Sequence, residues 1–138
     1  MTDNWVLNSD VNITAEQIFS IMSSFMGVNG SEDAQAHAAE RFRPAALDCI
    51  NAAISEVNRI NRDFSPNDIT PSSVTSFETQ ITAVSAVAYS VLPLKAAALL
   101  ALRFDPKTAQ QLNRMYETAF SMYRSSAPAS ASPITEVY

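Results

Sequence analysis

His37 is the one histidine of the chain and Cys49 its one cysteine, so few side chains could do metal or nucleophilic chemistry. Glu32, Asp33 and Glu40 surround His37, and the spacing of His37 and Glu40 puts both on one helical face. A transition-metal site there would have to draw its remaining ligands from carboxylates, and these lack a spacing that closes around one ion. An acidic first turn is what a helix N-terminus favours on electrostatic grounds alone, and that is the preferred reading. A thiol–imidazole pair would have to join Cys49 to His37 along a helical stretch interrupted by Pro44, where the two do not meet. Asp63 and Asp68 do not follow a calcium-loop spacing. The only glycines, Gly27 and Gly30, share one turn, which leaves none for a phosphate-cradling loop. Cys49 lies in an apolar helical pattern and reads as a small buried hydrophobe that forms no internal disulfide. The sequence predicts no catalytic, cofactor-binding or metal-binding residues, and no enzyme.

The elements around these residues read as one domain. A chain of 138 residues with 47% hydrophobic content can bury a substantial core. Two glycines are too few for the turns of a β-sandwich or barrel, which favours helices joined by few connections. Net charge is −5, and the nine basic residues are scattered rather than striped. Such a surface repels a DNA backbone rather than gripping it. The opening MTDNWVLNSD has neither a basic nor an apolar leader region, so synthesis in a reducing cytoplasm is expected. The Asn12 and Asn29 sequons are then accidental. Ile81 to Leu102 is apolar and long enough for a bilayer, but Pro93 and Lys95 fall inside it. A central lysine costs roughly 2.5–3.5 kcal/mol on membrane insertion, so no span is expected. A helix buried at the centre of an oligomer accounts for the run better.

Along the chain, residues 1–13 show no periodicity and read as an extended arm, anchored by Trp5, Val6 and Leu7. Thr14-Ala15-Glu16-Gln17 is a capping box opening a helix with apolar positions Ile18, Ile21, Met22, Phe25 and Met26. Ser31 caps a second helix running to about Asn61, with a kink expected at Pro44 and a seam of Leu47, Ile50, Ile54, Val57 and Ile60. A third helix is expected from Ser76–Thr79 to about Phe104, bent or divided at Pro93. Asp105-Pro106 starts the last helix, whose face is Ala109, Leu112, Met115, Tyr116, Ala119, Phe120 and Tyr123. That aromatic face reads as core rather than as a platform for bases, because cations are sparse beside it. The predicted fold class is therefore all-α: a bundle of about four helices over 14–125, with an extended N-terminal arm and an extended C-terminal tail at 126–138.

In that tail, a Ser/Ala/Pro tether leads to Ile134, Thr135, Glu136, Val137 and Tyr138, a β-prone segment suited to adding onto another subunit. The run from Val87 to Arg124 resembles the closing helices of tailed-bacteriophage head–tail adaptor (connector) proteins. The resemblance rests on the order of Leu92-Pro93, Asp105-Pro106, Tyr116-Glu117-Thr118-Ala119 and Ile134-Thr135-Glu136-Val137-Tyr138. Ala45 to Phe64 also looks like the helix before the variable loop of that family, while the N-terminal arm and first helix have no match. The resemblance implies a virion protein of the neck, made in the host cytoplasm. It implies a homo-oligomeric ring, of twelve copies, beneath the portal protein, with a tail or stopper protein on the other face. DNA would pass through the lumen without specific binding, and no membrane is involved. Partner-binding residues would be Ile134, Thr135, Glu136, Val137, Tyr138 and Trp5. Two readings stay open beside it: a bacterial cytoplasmic interaction module dimerising through the Leu47–Ile60 seam, and a small membrane-associated protein.

Overall fold

The computed structural model describes residues 9–26, 32–65, 67 and 70–125, with the backbone alone at 32–39 and 124–125. In chain order the elements are strand β1 (Asp10–Thr14), helices α1 (Ala15–Phe25) and α2 (Glu32–Phe64), strand β2 (Gln80–Val84), a π-helical turn (Val87–Val91), and helices α3 (Leu92–Ala101) and α4 (Pro106–Ser125). The molecule is mostly helical, as the composition predicts, but it is not all-α. β1 and β2 pair antiparallel, with Asp10 opposite Val84 and Thr14 opposite Gln80.

The start of α1 is as read from sequence. The Gln17 N–H donates to the Thr14 hydroxyl at 3.2 Å, and the Thr14 N–H donates to the Gln17 side chain at 2.9 Å. Residues 10–13, expected in an extended N-terminal arm, are extended but do not stand apart from the domain: they form most of β1, which buries Ile13. The helix expected from Ser76–Thr79 does not begin there. The Thr79 hydroxyl accepts from the N–H groups of Ser76 and Thr75, at 3.0 and 3.1 Å, and closes a turn. That is the local competition by which Ser and Thr draw backbone out of helix. β-branched Ile81, Thr82 and Val84 then enter β2, where they pack across the pair.

Pro93 divides the apolar segment. The Leu92 N–H reaches back five residues to the Val87 carbonyl, a π turn, and Pro93 then occupies the first turn of α3, where its missing N–H costs nothing. α3 is the hub: it contacts α1, α2, α4 and the π turn, and eight of its ten residues are buried. The expectation of a helix at the centre of an oligomer is thus corrected. One chain surrounds α3 by itself, because its alanines let three helices approach closely. No helix among the described residues is long and apolar enough to cross a membrane.

The α2 seam holds, with Ile50, Ile54, Val57 and Ile60 buried and Leu47 half-buried. These side chains belong to the chain's own core, so the seam is not an open dimer face. The helix runs on through Pro44, which lies on its exposed side and leaves the Glu40 carbonyl to solvent. On α4, Ala109, Leu112 and Tyr116 are buried, but Met115 is exposed, off the face assigned to it. The Ser31 cap and the Gly27/Gly30 turn lie outside the described residues.

Asp105 caps α4. Its carboxylate accepts from the Lys107 N–H at 3.2 Å and the Thr108 hydroxyl at 2.7 Å. The hydrogen bond from the Thr108 side chain, then that from its backbone, hold the Asp105 pKa below its ordinary 3.8. A depressed folded pKa means stability that is complete above the ordinary aspartate range and is lost as pH falls through it. Asp105→Asn keeps a capping oxygen but cannot titrate. Its melting temperature should match wild type in strong acid and fall below it at neutral pH; parallel curves throughout would show that the charge of Asp105 adds nothing to the cap.

Candidate interaction surface

No group of three His, Cys, Asp or Glu side chains that could hold a metal exists among the described residues. Glu40 pairs with Arg43 at 3.6 Å, an ordinary i,i+3 contact. Cys49 is buried, and desolvation pushes its thiol pKa up, away from reactivity. The side chain of His37 lies outside the described residues, as do Trp5 and Ile134, Thr135, Glu136, Val137 and Tyr138.

What the structure adds is apolar surface. At the turn between α3 and α4, Leu102 is 61% exposed and Phe104 43%. The expected helix to Phe104 ends at Ala101 because Leu102–Phe104 turn to meet the Asp105 cap. Phe104 packs on Phe42 of α2 at 4.8 Å between ring centres, with the Arg41 guanidinium 6.0 Å above it. Beside this pair runs an open groove of about 250 Å³, lined by Cys49, Ala52, Leu99 and Leu102 and flanked by Asp48 and Arg103. An apolar centre with aromatic side chains and an arginine-bearing rim is the composition of a protein–protein contact. Met115 and Met122 add exposed apolar area along the outer side of α4.

Two charged residues are held by aromatics. Lys95 leaves α3 with its Nζ 4.9 Å from the centre of the Tyr116 ring, which shows how a lysine is tolerated inside the apolar run. The Tyr116 hydroxyl is buried and makes no hydrogen bond of good geometry among the described residues. Burial first, and the nearby Glu56 carboxylate second, raise its pKa well above the ordinary value.

Arg43 of α2 bonds both carboxylate oxygens of Glu16 on α1 at 2.9 Å. It also lies 4.2 Å from the centre of the Phe77 ring and 5.2 Å from that of Phe19. One guanidinium therefore ties α1, α2 and the turn before β2, a role that needs a planar fork as well as a charge. Arg43→Lys should cost about 1 kcal/mol, and a domain of this size then melts roughly 3–5 °C lower. An unchanged thermal melt would mean that the fork contributes nothing.

Sequence reasoning missed this clamp and the Leu102–Phe104 patch. Only Leu102-Arg103-Phe104 before a helix-starting Asp-Pro hinted that an apolar segment would end outside the core. Compared with protein-family models, curated proteins and solved structures, the chain matches none.

Proposed function

We propose that this chain is a structural assembly subunit, a head–tail adaptor of a tailed bacteriophage that forms a ring beneath the portal and links capsid to tail. The observation that carries the reading is the apolar patch at the α3–α4 turn, where Leu102 and Phe104 face solvent within a rim of Arg41, Arg103 and Asp48. Neighbouring exposed apolar side chains within a polar rim are the pattern of a surface that another protein covers. The succession of a buried Leu/Ala helix, an Asp-Pro turn, a closing helix and a Ser/Ala/Pro tether supports the family resemblance. The net charge of −5 suits the wall of a DNA channel, which must not hold its cargo.

In this reading the patch joins neighbouring copies, the segment Ile134–Tyr138 docks on the portal, and the opposite face receives a tail or stopper protein. Quantitative mass spectrometry of purified particles tests it: the chain should be present at the copy number of a ring. Its absence from particles, with a stable small oligomer in host cytoplasm, would favour a regulatory or chaperone-like interaction module. A chain ending at Ser125 should melt within a few degrees of wild type, because the core cluster and the side chains packed on it lie between Val11 and Tyr123. It should nevertheless fail to join portal-containing particles; normal incorporation would remove the docking role of the tail.

A further inference from the structure

Both edges of the two-stranded sheet carry backbone N–H groups without a partner among the described residues, and β1 is the strand whose start lies beside the end of α4. The Ser85 N–H donates to the Ser9 carbonyl at 2.8 Å, and the Ala15 N–H donates to the Thr79 carbonyl at 2.9 Å. With Val11 opposite Ala83 and Ile13 opposite Ile81, these bonds set the parity of the ladder. Val11 and Ile13 bond to β2, while the N–H and C=O groups of Asp10 and Asn12 point away from it. The same parity turns Val84 outward on β2, and there the Asn61 side chain of α2 accepts its N–H at 2.8 Å. On β1 the Thr14 N–H is taken by Gln17. The N–H groups of Asp10 and Asn12 have no partner among the described residues, and Asn12 is exposed. An edge of this kind is a template for a further strand.

We infer that the open edge of β1 is a strand-acceptor site and that its occupant is the chain's own segment Ile134–Tyr138, added as a third strand. Ile134, Thr135, Val137 and Tyr138 are β-branched or aromatic, the residue types that strands favour. Pro133 precedes them and has no N–H, so a ladder starts at Ile134. The origin of the tail is also placed correctly. Tyr123, in the last turns of α4, packs edge-on against Phe64 with ring centres 6.3 Å apart. The next residue, Ser65, donates from its hydroxyl to the Asp10 carboxylate at 3.0 Å. The tail therefore leaves α4 at the end of the molecule where β1 begins.

Residues 126–133 form the tether. A chain of that length spans roughly 14–17 Å on average when flexible, and about 28 Å when fully extended. A tether matched to its span gives an effective concentration in the millimolar range, which favours closure within one chain over exchange between copies at micromolar protein. The edge then stays blunted until a partner offers the same segment a better sheet. This inference goes beyond the adaptor reading and holds or fails without it.

Amide hydrogen exchange on the full chain tests the inference. In wild type the Asp10 and Asn12 amides should be protected, and Thr135→Pro combined with Val137→Pro should speed their exchange by about tenfold or more. Val11 and Ile13, bonded to β2, should not change, so alternation along β1 separates edge pairing from general loosening. Protection should be the same in dilute and concentrated protein. Unprotected Asp10 and Asn12 amides in wild type would overturn the inference. So would protection insensitive to the two prolines, or protection that grows with protein concentration, which marks exchange between copies.

Discussion

Ile54→Asp should remove a large part of the domain's stability at neutral pH. Ile54 is 4% exposed and sits in the middle of the α2 seam, between the buried Ile50 and Val57. Losing a buried isoleucine forfeits about 2–3 kcal/mol of apolar burial. Placing a carboxyl there without a partner adds several more, for a total on the order of 5 kcal/mol or above. A domain of this size has roughly 7–15 kcal/mol of stability in all. The buried carboxyl would have its pKa raised above the unfolded value of about 3.9. Destabilisation should therefore be smallest below that value and grow as pH rises through the folded pKa. Circular dichroism melts from acid to neutral pH read this directly. Ser55→Asp, one residue along and exposed, should stay within about 0.5 kcal/mol of wild type. A harmless Ile54→Asp beside a damaging Ser55→Asp would show that the helix is turned by one residue.

What could be read in advance was what neighbouring residues decide. The Thr14–Gln17 box, the Asp105 cap and the buried face of α2 follow from side chains within a turn or two of each other, and each was legible. The sheet was not, because its strands are five residues each and their partners stand 66 to 74 positions apart. Either strand alone is a short apolar stretch that a helix could equally claim. The Ser76–Thr79 signal was real in its chemistry, since Thr79 does bind the backbone before it, but that bond closes a turn ahead of a strand. The Arg43 clamp draws on Glu16, Phe19 and Phe77, three separate stretches that only the fold brings together. Apolarity could not say that Leu100 faces the core and Leu102 the solvent; the end of α3 at Ala101 decides that. Of the proposed site, Trp5 and Ile134–Tyr138 stand where the sequence argument left them, and the patch at Leu102 and Phe104 comes from the structure.

Two asparagines on α2 supply the second large effect. Asn51 accepts from the Val74 N–H at 2.7 Å and donates to the Val74 carbonyl at 2.9 Å, so one side-chain amide replaces a strand partner for that residue. Ten positions along, Asn61 is the one buried polar residue among those described and accepts from the Val84 N–H at 2.8 Å. Each lies 23 positions before the residue it holds, so α2 grips the returning chain at two matched points and fixes the position of β2. Asn61→Ala removes the acceptor, leaves the Val84 N–H buried and unpaired, and opens a small cavity, for about 2–4 kcal/mol in all. Asn51→Ala frees two groups of a buried valine at a half-buried site, where water can partly replace the lost bonds, for about 1–3 kcal/mol. Asn61→Ala should therefore be the more damaging, with a melting temperature lower by roughly 6–20 °C at 3–5 °C per kcal/mol. Because Val84 adjoins the open half of the sheet at Asp10, amide exchange at Val11 and Ile13 should accelerate as well. Equal damage from the two substitutions would show that burial does not rank these contacts. A silent Asn61→Ala would mean that the Asn61 side chain does not help to position β2.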